Sequence, residues 1–254
     1  MPLTSLRVAA GCLALAASLA VVAAAQAVEI KLLSASGLQP ALLIAIPEFE
    51  RVTTSKVSLT YGLPVRLKQR IAKDDAGDVA ILPTPLVREL IREGKLVTGS
   101  NVEIARSALG VAVHAGASRP NIDSPDALKR ALLDAKVIAY TSDGSGAQFL
   151  RVVDRLGIAD AVKPKLKDAQ GNVGKLVATG KADLGVQAIP AIMQDPGVDL
   201  VGPLPGELQS ITAYSAALST AAREPEGGRT LIKFLSGPTA QAAFKAAGFE
   251  SAPH

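Results

Sequence analysis

Four loop segments of this sequence each stand where a predicted strand ends and a predicted helix begins. They are SASG (34–37), YGLPVR (61–66), SDGSGA (142–147) and GNV (171–173). The first N–H groups of a helix lack acceptors within the helix, and the helix dipole makes this end positive. Glycine allows a ligand to approach the backbone closely, and serine adds a hydroxyl donor. Any one segment is equally well explained as a helix cap or a turn, but the four together predict a site for an oxyanion or a carboxylate.

Metal and hydrolytic chemistry are not favoured by the sequence. Its two histidines, His114 and His254, are not spaced as metal ligands. A Ser-His-Asp triad would depend on His114, which lies in a predicted strand. Asp74 and Asp75 are more typical of a solvated turn than of a cation site. We therefore predict no metal site, no catalytic triad and no cofactor.

The segments that must position an anion site alternate between strand and helix patterns. Apolar or alternating runs predict strands at 28–36, 56–62, 77–83, 107–116, 136–142, 198–205 and 211–219. Helical spacing of apolar residues predicts helices in most of the stretches between them and two helices near the carboxyl end. This alternation predicts an α/β fold with parallel sheet covered by helices, in which ligands bind beyond the carboxyl ends of the strands.

Prolines and glycines set several predicted helix boundaries. Pro47 is predicted to end or kink the first helix, because it lacks an N–H and clashes with the preceding turn. Ser124 before Pro125 predicts the start of a later helix, with the serine side chain as its cap. Gly94 and Gly157 are predicted to end helices.

The first 27 residues have the pattern of a secretory signal peptide. A basic start, MPLTSLR, precedes an uncharged run from Val8 to Ala25, and AQA at 25–27 supplies the cleavage pattern before Val28. The alternatives are a membrane anchor, for which the apolar run has marginal length, and a lipoprotein attached at Cys12. Cleavage predicts a periplasmic mature chain that has no cysteine and therefore no disulfide.

Composition argues against a nucleic-acid partner. The formal net charge is +4, aromatic residues make up 3% of the chain, and no run of lysine and arginine is long enough for a nucleic-acid surface. Hydrophobic residues make up 48% of the chain, which is enough for a sizeable core. We therefore predict a globular protein without a nucleic-acid partner.

Six stretches follow one another in a characteristic order along the chain. They are LLSASGLQPAL (32–42), AGDVAILPTP (76–85), ALGVAVHAG (108–116), GSGAQFLRVVDRLGI (144–158), GKLVATGKADLGVQ (174–187) and LIKFLSGPTAQAAFKAAGF (231–249). On these stretches, residues 28–250 resemble the periplasmic solute-binding proteins of ABC importers, in the type II group that includes the molybdate-binding proteins. The resemblance implies two α/β lobes, each a mostly parallel sheet flanked by helices. It also implies two crossover strands that join the lobes and an anionic ligand that is bound between the lobes.

The resemblance also implies a domain organisation and partners. After the signal peptide (1–27), the first lobe comprises 28–107 and 213–254, and the second lobe comprises 108–212. The chain is expected to cross between lobes near Arg106–Ala108 and Ile211–Tyr214. The permease and the ATPase of an importer are the implied protein partners, and a monomer is the implied state.

The loop segments and the end of a later strand supply the ligand-binding candidates implied by the resemblance. These are Ser34, Ala35, Ser36, Gly37, Leu63, Val65, Arg66, Ser145, Gly146, Ala147, Asn172, Val173 and Gln187. The chain departs from the molybdate-binding pattern, since Leu63 and Val65 offer no hydroxyl and Gln187 replaces a tyrosine. Arg66 is either a solvated helix residue or a charged fork suited to a carboxylate. A small organic anion, such as a carboxylate with more than one acid group, therefore fits the predicted site at least as well as molybdate.

An enzyme on the same fold is the alternative function. Aconitate isomerase resembles the same group of solute-binding proteins, and proton transfer beside a bound carboxylate needs a base but no metal or cofactor. Candidate bases are Tyr61, Tyr140, Tyr214 and Glu48, and the sequence does not choose among them.

Overall fold

A computed structural model describes residues 28–75, 77–142 and 144–252 of the chain. The predicted signal peptide lies outside these residues, as do Asp143 and His254. Among the helices of the described residues, none is both long enough and apolar enough to cross a membrane.

Strands and helices alternate along the described chain, as predicted. The strands are β1 (Glu29–Ala35), β2 (Lys56–Gly62), β3 (Val79–Pro83), β4 (Val102–His114), β5 (Ile138–Tyr140), β6 (Leu166–Asp168), β7 (Leu184–Ala188), β8 (Val198–Pro203) and β9 (Ile211–Leu218). The helices are α1 (Gln39–Thr53), α2 (Pro64–Ala72), α3 (Thr84–Arg92), α4 (Pro125–Asp134), α5 (Ser145–Arg155), α6 (Ala159–Val162), α7 (Val173–Ala178), α8 (Ile189–Ile192), α9 (Pro225–Leu235) and α10 (Pro238–Ala246). β2 has the predicted bounds, whereas β4 begins earlier than predicted.

The strands form one curled sheet in the order β2-β1-β3-β9-β4-β7-β5-β6, with β8 also paired to β4. β1 pairs in parallel with β2 and β3, and β5 pairs in parallel with β6 and β7. β9 and β4 lie between these two parallel sets and pair antiparallel with their neighbours. The α/β class with mostly parallel strands is thus confirmed.

β4 connects the two parallel sets. Its residues from Val102 to Ala108 pair with β9, ending at the Ala108–Ile211 pair, and its residues from Leu109 onward pair with β7 and β8. Gln209, just before β9, continues the pairing with its side chain. Its amide oxygen accepts from the Leu109 N–H at 2.8 Å and its amide nitrogen donates to the Leu109 carbonyl at 3.0 Å.

The core covers both faces of the sheet because neighbouring strand residues point to opposite sides. On the β1–β3 side, Leu32 packs with the apolar faces of α1, α9 and α10, whereas Leu33 packs with α2 and α3. On the β5–β7 side, Ile138 packs with α4 and α5, whereas Ala139 packs with α7.

The structure confirms some of the predicted helix boundaries and not others. Ser124 does cap α4, since its hydroxyl oxygen accepts from the Ala127 N–H at 3.2 Å. Gly94 and Gly157 follow α3 and α5 with positive φ of 70° and 66°. Pro47 was predicted to end or kink the first helix, and it does not end it, because α1 continues through it to Thr53. Pro47 is exposed on α1, so water can reach the carbonyl group that its missing N–H leaves unbonded.

Candidate functional site

A cleft of about 1080 Å³ opens where the two parallel sets of strands meet. Its walls include residues at or just after the carboxyl ends of four parallel strands, namely Ala35 in β1, Pro83 in β3, Thr141 after β5 and Ala188 in β7. The middle of β4 and the start of β9, represented by Ser107 and Thr212, complete the wall. This is the position at which parallel α/β sheets bind ligands.

Helix N-termini open onto the cleft from both sides. The first residues of α2, α3 and α5 (Pro64, Thr84 and Ser145) line it, as do Ser36 and Gly37 of a short 3₁₀ turn that precedes α1. N–H groups in the first turn of each helix have no acceptor within the helix. Together they give the cleft a positive potential without placing a charge there.

Two arginines line the cleft, Arg66 on α2 and Arg88 on α3. Neither guanidinium has an ion-pair partner among the described residues, and both side chains are exposed. The carboxylate of Glu103 also lines the cleft, but it is engaged by Arg106, whose Nε donates to it at 2.6 Å. Within the described part of the chain, the charges available to a ligand are therefore the two guanidinium groups.

Neutral polar side chains supply further contacts. Gln148 of α5 donates to the Thr212 hydroxyl of β9 at 2.9 Å, which ties α5 to the strand that crosses the floor of the cleft. The hydroxyl groups of Thr84 and Ser215 are 2.9 Å apart. Tyr214 lines the cleft, and a Cβ added to Gly37 would lie 3.5 Å from its hydroxyl. Burial raises the pKa of Tyr214, so at neutral pH its hydroxyl is protonated and can donate to a ligand.

Most of the candidate residues from the sequence lie together in this cleft. The lining residues among them are Ala35, Ser36, Gly37, Leu63, Val65, Arg66, Ser145 and Gln187. Leu63 and Val65 are 50% and 62% exposed. The lip of the cleft near Arg66 is therefore apolar, and it has no hydroxyl to offer a tetrahedral oxyanion.

The remaining candidates, Ser34, Gly146, Ala147, Asn172 and Val173, do not line the cleft. Ser34 is fully buried and its hydroxyl donates to the neighbouring Ala35 carbonyl. Val173, the first residue of α7, is fully buried in the core, while Asn172 is exposed and accepts from the Lys175 N–H as the helix cap.

Gly146 and Ala147 lie one and two residues past Ser145, inside α5. A Cβ on Gly146 would lie only 1.5 Å from the Thr141 carbonyl oxygen. Contact between α5 and the chain after β5 therefore requires a glycine here.

Of the candidate bases from the sequence, only Tyr214 lines the cleft. The Tyr61 hydroxyl is buried and unbonded within the described residues, and Glu48 pairs with Arg51 on α1. Sequence reasoning missed Glu103, Arg88 and the polar groups of Gln148 and Thr212, because it searched only the loops at strand ends. The helical spacing of Arg88 from Thr84 at the start of α3 was the available signal.

Comparison with known proteins agrees with this geometry. Residues 30–250 match a family model described as bacterial extracellular solute-binding protein. An aconitate isomerase from Pseudomonas sp is 28% identical over 246 residues, which cover 94% of this chain and 94% of that protein. The molybdate-binding protein of Azotobacter vinelandii is 27% identical over 235 residues, which cover 89% of this chain and 91% of that protein.

The fold is shared with a solved structure. The periplasmic molybdate-binding protein of Azotobacter vinelandii superposes with a TM-score of 0.71 at 21% identity, covering 88% of this chain and 100% of that chain. This likeness confirms the two-lobed periplasmic binding protein fold predicted from the sequence.

Proposed function

The chain belongs to the family of bacterial extracellular solute-binding proteins, and on that premise we propose that it is the periplasmic receptor of an ABC importer for a small organic carboxylate. The leader at 1–27 would direct it to the periplasm. The permease and the ATPase of the importer would take the ligand from it.

The observation that carries this proposal is the convergence of helix N-termini with Arg66 on one cleft. The first turns of α2, α3 and α5 open there, and the guanidinium of Arg66 lies beside them without an anionic partner among the described residues. Backbone N–H groups and an arginine fork are the donors that recognise a carboxylate. An anion can therefore be bound with charge complementarity and several hydrogen bonds.

The character of the lip favours a carboxylate over a tetrahedral oxyanion. Leu63 and Val65 present apolar side chains there, and Gln187 supplies an amide at the opposite side. A fully enclosed oxyanion needs donors on every side, whereas a carboxylate on a carbon skeleton also needs apolar contact. Both kinds of surface are present in the cleft.

Binding is coupled to closure of the two lobes around the ligand. We assign the first lobe to 28–107 with 213–254 and the second to 108–212, so that β4 and β9 cross between them at residues 106–108 and 211–214. The ligand contacts both lobes only when they are closed, and it therefore shifts the open–closed equilibrium towards the closed form. The closed form is the state that the importer would recognise.

A thermal-shift screen of the chain beginning at Val28 tests the proposal. The ligands are molybdate, tungstate, sulfate and a panel of di- and tricarboxylates. We expect a carboxylate to raise the melting temperature, since a ligand at a hundred times its Kd stabilises the folded state by about 2.7 kcal/mol. Stabilisation by molybdate or sulfate with no response to any carboxylate would overturn it.

Arg66→Ala tests the role of the arginine by calorimetry. Loss of a charged hydrogen bond is expected to weaken carboxylate binding by roughly 1–3 kcal/mol. Lys73→Ala is the matched control, because Lys73 follows α2 directly and does not line the cleft. Unchanged affinity in Arg66→Ala would remove this residue from the site.

A second candidate function, isomerisation of a tricarboxylate, is favoured by the similarity to aconitate isomerase over 94% of both chains. Conversion of trans- to cis-aconitate requires a base to take a proton from the methylene carbon. A proton must then return to the carbon at the far end of the allylic system. Besides the arginines, the titratable groups that line the described cleft are Glu103 and Tyr214.

Incubation with trans-aconitate separates the two functions. Formation of the cis isomer, lost in Glu103→Gln or Tyr214→Phe with the melting temperature unchanged, would establish the enzyme. Binding of trans-aconitate without turnover would establish the receptor and reject the isomerase.

A further inference from the structure

Arg66 of α2 and Arg88 of α3 are the cations of these two helices that line the cleft. Unlike the other cations of the two helices, they have no nearby anionic partner among the described residues. We propose that Arg88 is a second carboxylate anchor, so that the site selects ligands bearing at least two carboxylate groups, one held at each guanidinium. This inference rests on the proposed binding of an organic carboxylate and specifies the class of ligand.

The pattern of ion pairs on the two helices supports this assignment. Lys68 of α2 bridges to Glu89 and Glu93 with N···O distances of 2.5 and 3.4 Å, and Arg70 bridges to Asp75 at 2.8 Å. The remaining cation of this helix pair, Arg92, is close to Glu89. The pKa of that carboxyl is lowered first by its hydrogen bond to Lys68 and in a smaller degree by Arg92.

Arg66 and Arg88 are thus left without an anionic partner among the described residues, although acidic side chains surround their helices. The nearby carboxylate in the cleft does not serve them, because Glu103 pairs with Arg106. Two unneutralised guanidinium groups in one cleft repel each other, and a ligand with two carboxylates would relieve that repulsion.

The two helices present these arginines from a fixed framework. Leu67 and Ile71 of α2 pack with Val87 and Leu90 of α3 in one buried cluster, and the Lys68 bridges join the outer surfaces. The Cα positions of Arg66 and Arg88 are therefore fixed relative to each other before a ligand binds. Gln69, one turn after Arg66, also lines the cleft and offers an amide.

The chemistry of arginine explains why this arrangement favours a polycarboxylate. Each guanidinium is a planar fork that matches one carboxylate in a bidentate geometry. A tetrahedral oxyanion is too compact to offer a separate planar group to each fork. The cleft volume of about 1080 Å³ is at the large end for sites that hold small organic molecules.

Calorimetry with trans-aconitate as the probe tests the assignment in Arg66→Gln, Arg88→Gln and Arg92→Gln. Arg92→Gln is the matched control, since it removes the same charge one turn further along α3 and outside the cleft. We expect Arg66→Gln and Arg88→Gln each to lower the affinity about tenfold to a hundredfold, the range for losing a charged hydrogen bond. Arg92→Gln should change it by less than about threefold, because it removes only a screened long-range charge.

Three outcomes decide between the inference and the proposed function. Wild-type affinity in Arg88→Gln together with weakened binding in Arg66→Gln overturns the second anchor and leaves carboxylate binding intact. Equal weakening in Arg88→Gln and Arg92→Gln also overturns it, because the effect is then one of net charge. Failure of the wild-type protein to bind any polycarboxylate overturns the second anchor, and the proposed function falls with it only when monocarboxylates also fail to bind. Melting temperatures of the ligand-free variants confirm that each is folded.

Discussion

Replacement of Gly146 by alanine tests how α5 is seated at the cleft. An added Cβ would lie 1.5 Å from the carbonyl oxygen of Thr141, 2.5 Å from its carbonyl carbon and 2.8 Å from its hydroxyl oxygen. Two of these atoms belong to the backbone, so rotation of a side chain cannot relieve the clash. The start of α5 must move away from the end of β5, which carries Ser145 away from the other cleft residues.

The expected cost follows from the size of the overlap. Contacts of about 3.4 Å and longer are ordinary for a Cβ, so the helix must shift by about 2 Å, well beyond what a packed interior absorbs. Overpacking typically costs 1–3 kcal/mol and more for backbone clashes, so we expect a loss of about 3 kcal/mol. For a chain of this size, that corresponds to a fall of roughly 6–12 °C in the melting temperature.

Differential scanning calorimetry measures this fall, with Gly206→Ala as the control. Gly206 has no atom within 4 Å of an added Cβ, and its φ is outside the left-handed region. This control separates the effect on stability of replacing a glycine by alanine from the effect of the clash. A melting temperature of Gly146→Ala within about 1 °C of wild type, beside an unchanged control, would refute the reasoning that α5 is positioned by this contact.

Three further changes test other parts of the structure. Asp78→Ala should destabilise the fold by about 3 kcal/mol in urea denaturation, because the buried carboxylate accepts from the N–H groups of Lys31, Arg223 and Glu224; a loss no larger than that of Asp75→Ala would contradict this role. Glu50→Gln should remove acid-sensitive stability, since the Val57 N–H and then Lys56 lower the pKa of Glu50 from 4.5 in the folded state. A carboxyl group whose pKa is lower in the folded state stabilises the fold at pH values above its unfolded-state pKa, and this contribution is lost as pH falls through the folded-state pKa. The wild type should therefore be more stable than the variant at neutral pH, and the two stabilities should converge below pH 4.5. A stability difference that stays constant from neutral pH to below pH 4.5 would reject the assignment. Gln148→Ala should weaken ligand binding more than it weakens the fold, since it removes the hydrogen bond that joins α5 to Thr212, and equal stability with equal affinity would show that this bond does not organise the cleft.

Local patterns predicted the elements of the fold well. The alternation of KVSLTYG gave the bounds of β2, and the Ser124–Pro125 pair gave the start of α4. These signals depend on side chains a few residues apart, which the sequence contains. Pro47 does not end α1, because a proline on an exposed helix face leaves a carbonyl that water can satisfy, and exposure is a tertiary property.

The loop residues of the site were predicted because they, too, follow local patterns in the sequence. Loops at the ends of β1, β2 and β5 led to Ser36, Arg66 and Ser145, which do line the cleft. Arg88 and Glu103 lie on a helix face and within a strand, so their approach depends on how α3 and β4 are placed in the fold. For Glu103 no pattern of neighbouring residues carries that information, and for Arg88 the helical spacing from Thr84 is the one local signal.

The side chain of Gln209 has a consequence for how the molecule can bend. At Leu109 one side-chain amide binds both the N–H and the carbonyl group, and the carbonyl also accepts from the Leu204 N–H at 3.1 Å. That amide is carried on rotatable side-chain bonds, so the strand can twist here while both of its hydrogen bonds follow the movement. If the proposed joint between the lobes lies here, a change of twist during closure leaves the Leu109 N–H and carbonyl bonded to Gln209 and shielded from water.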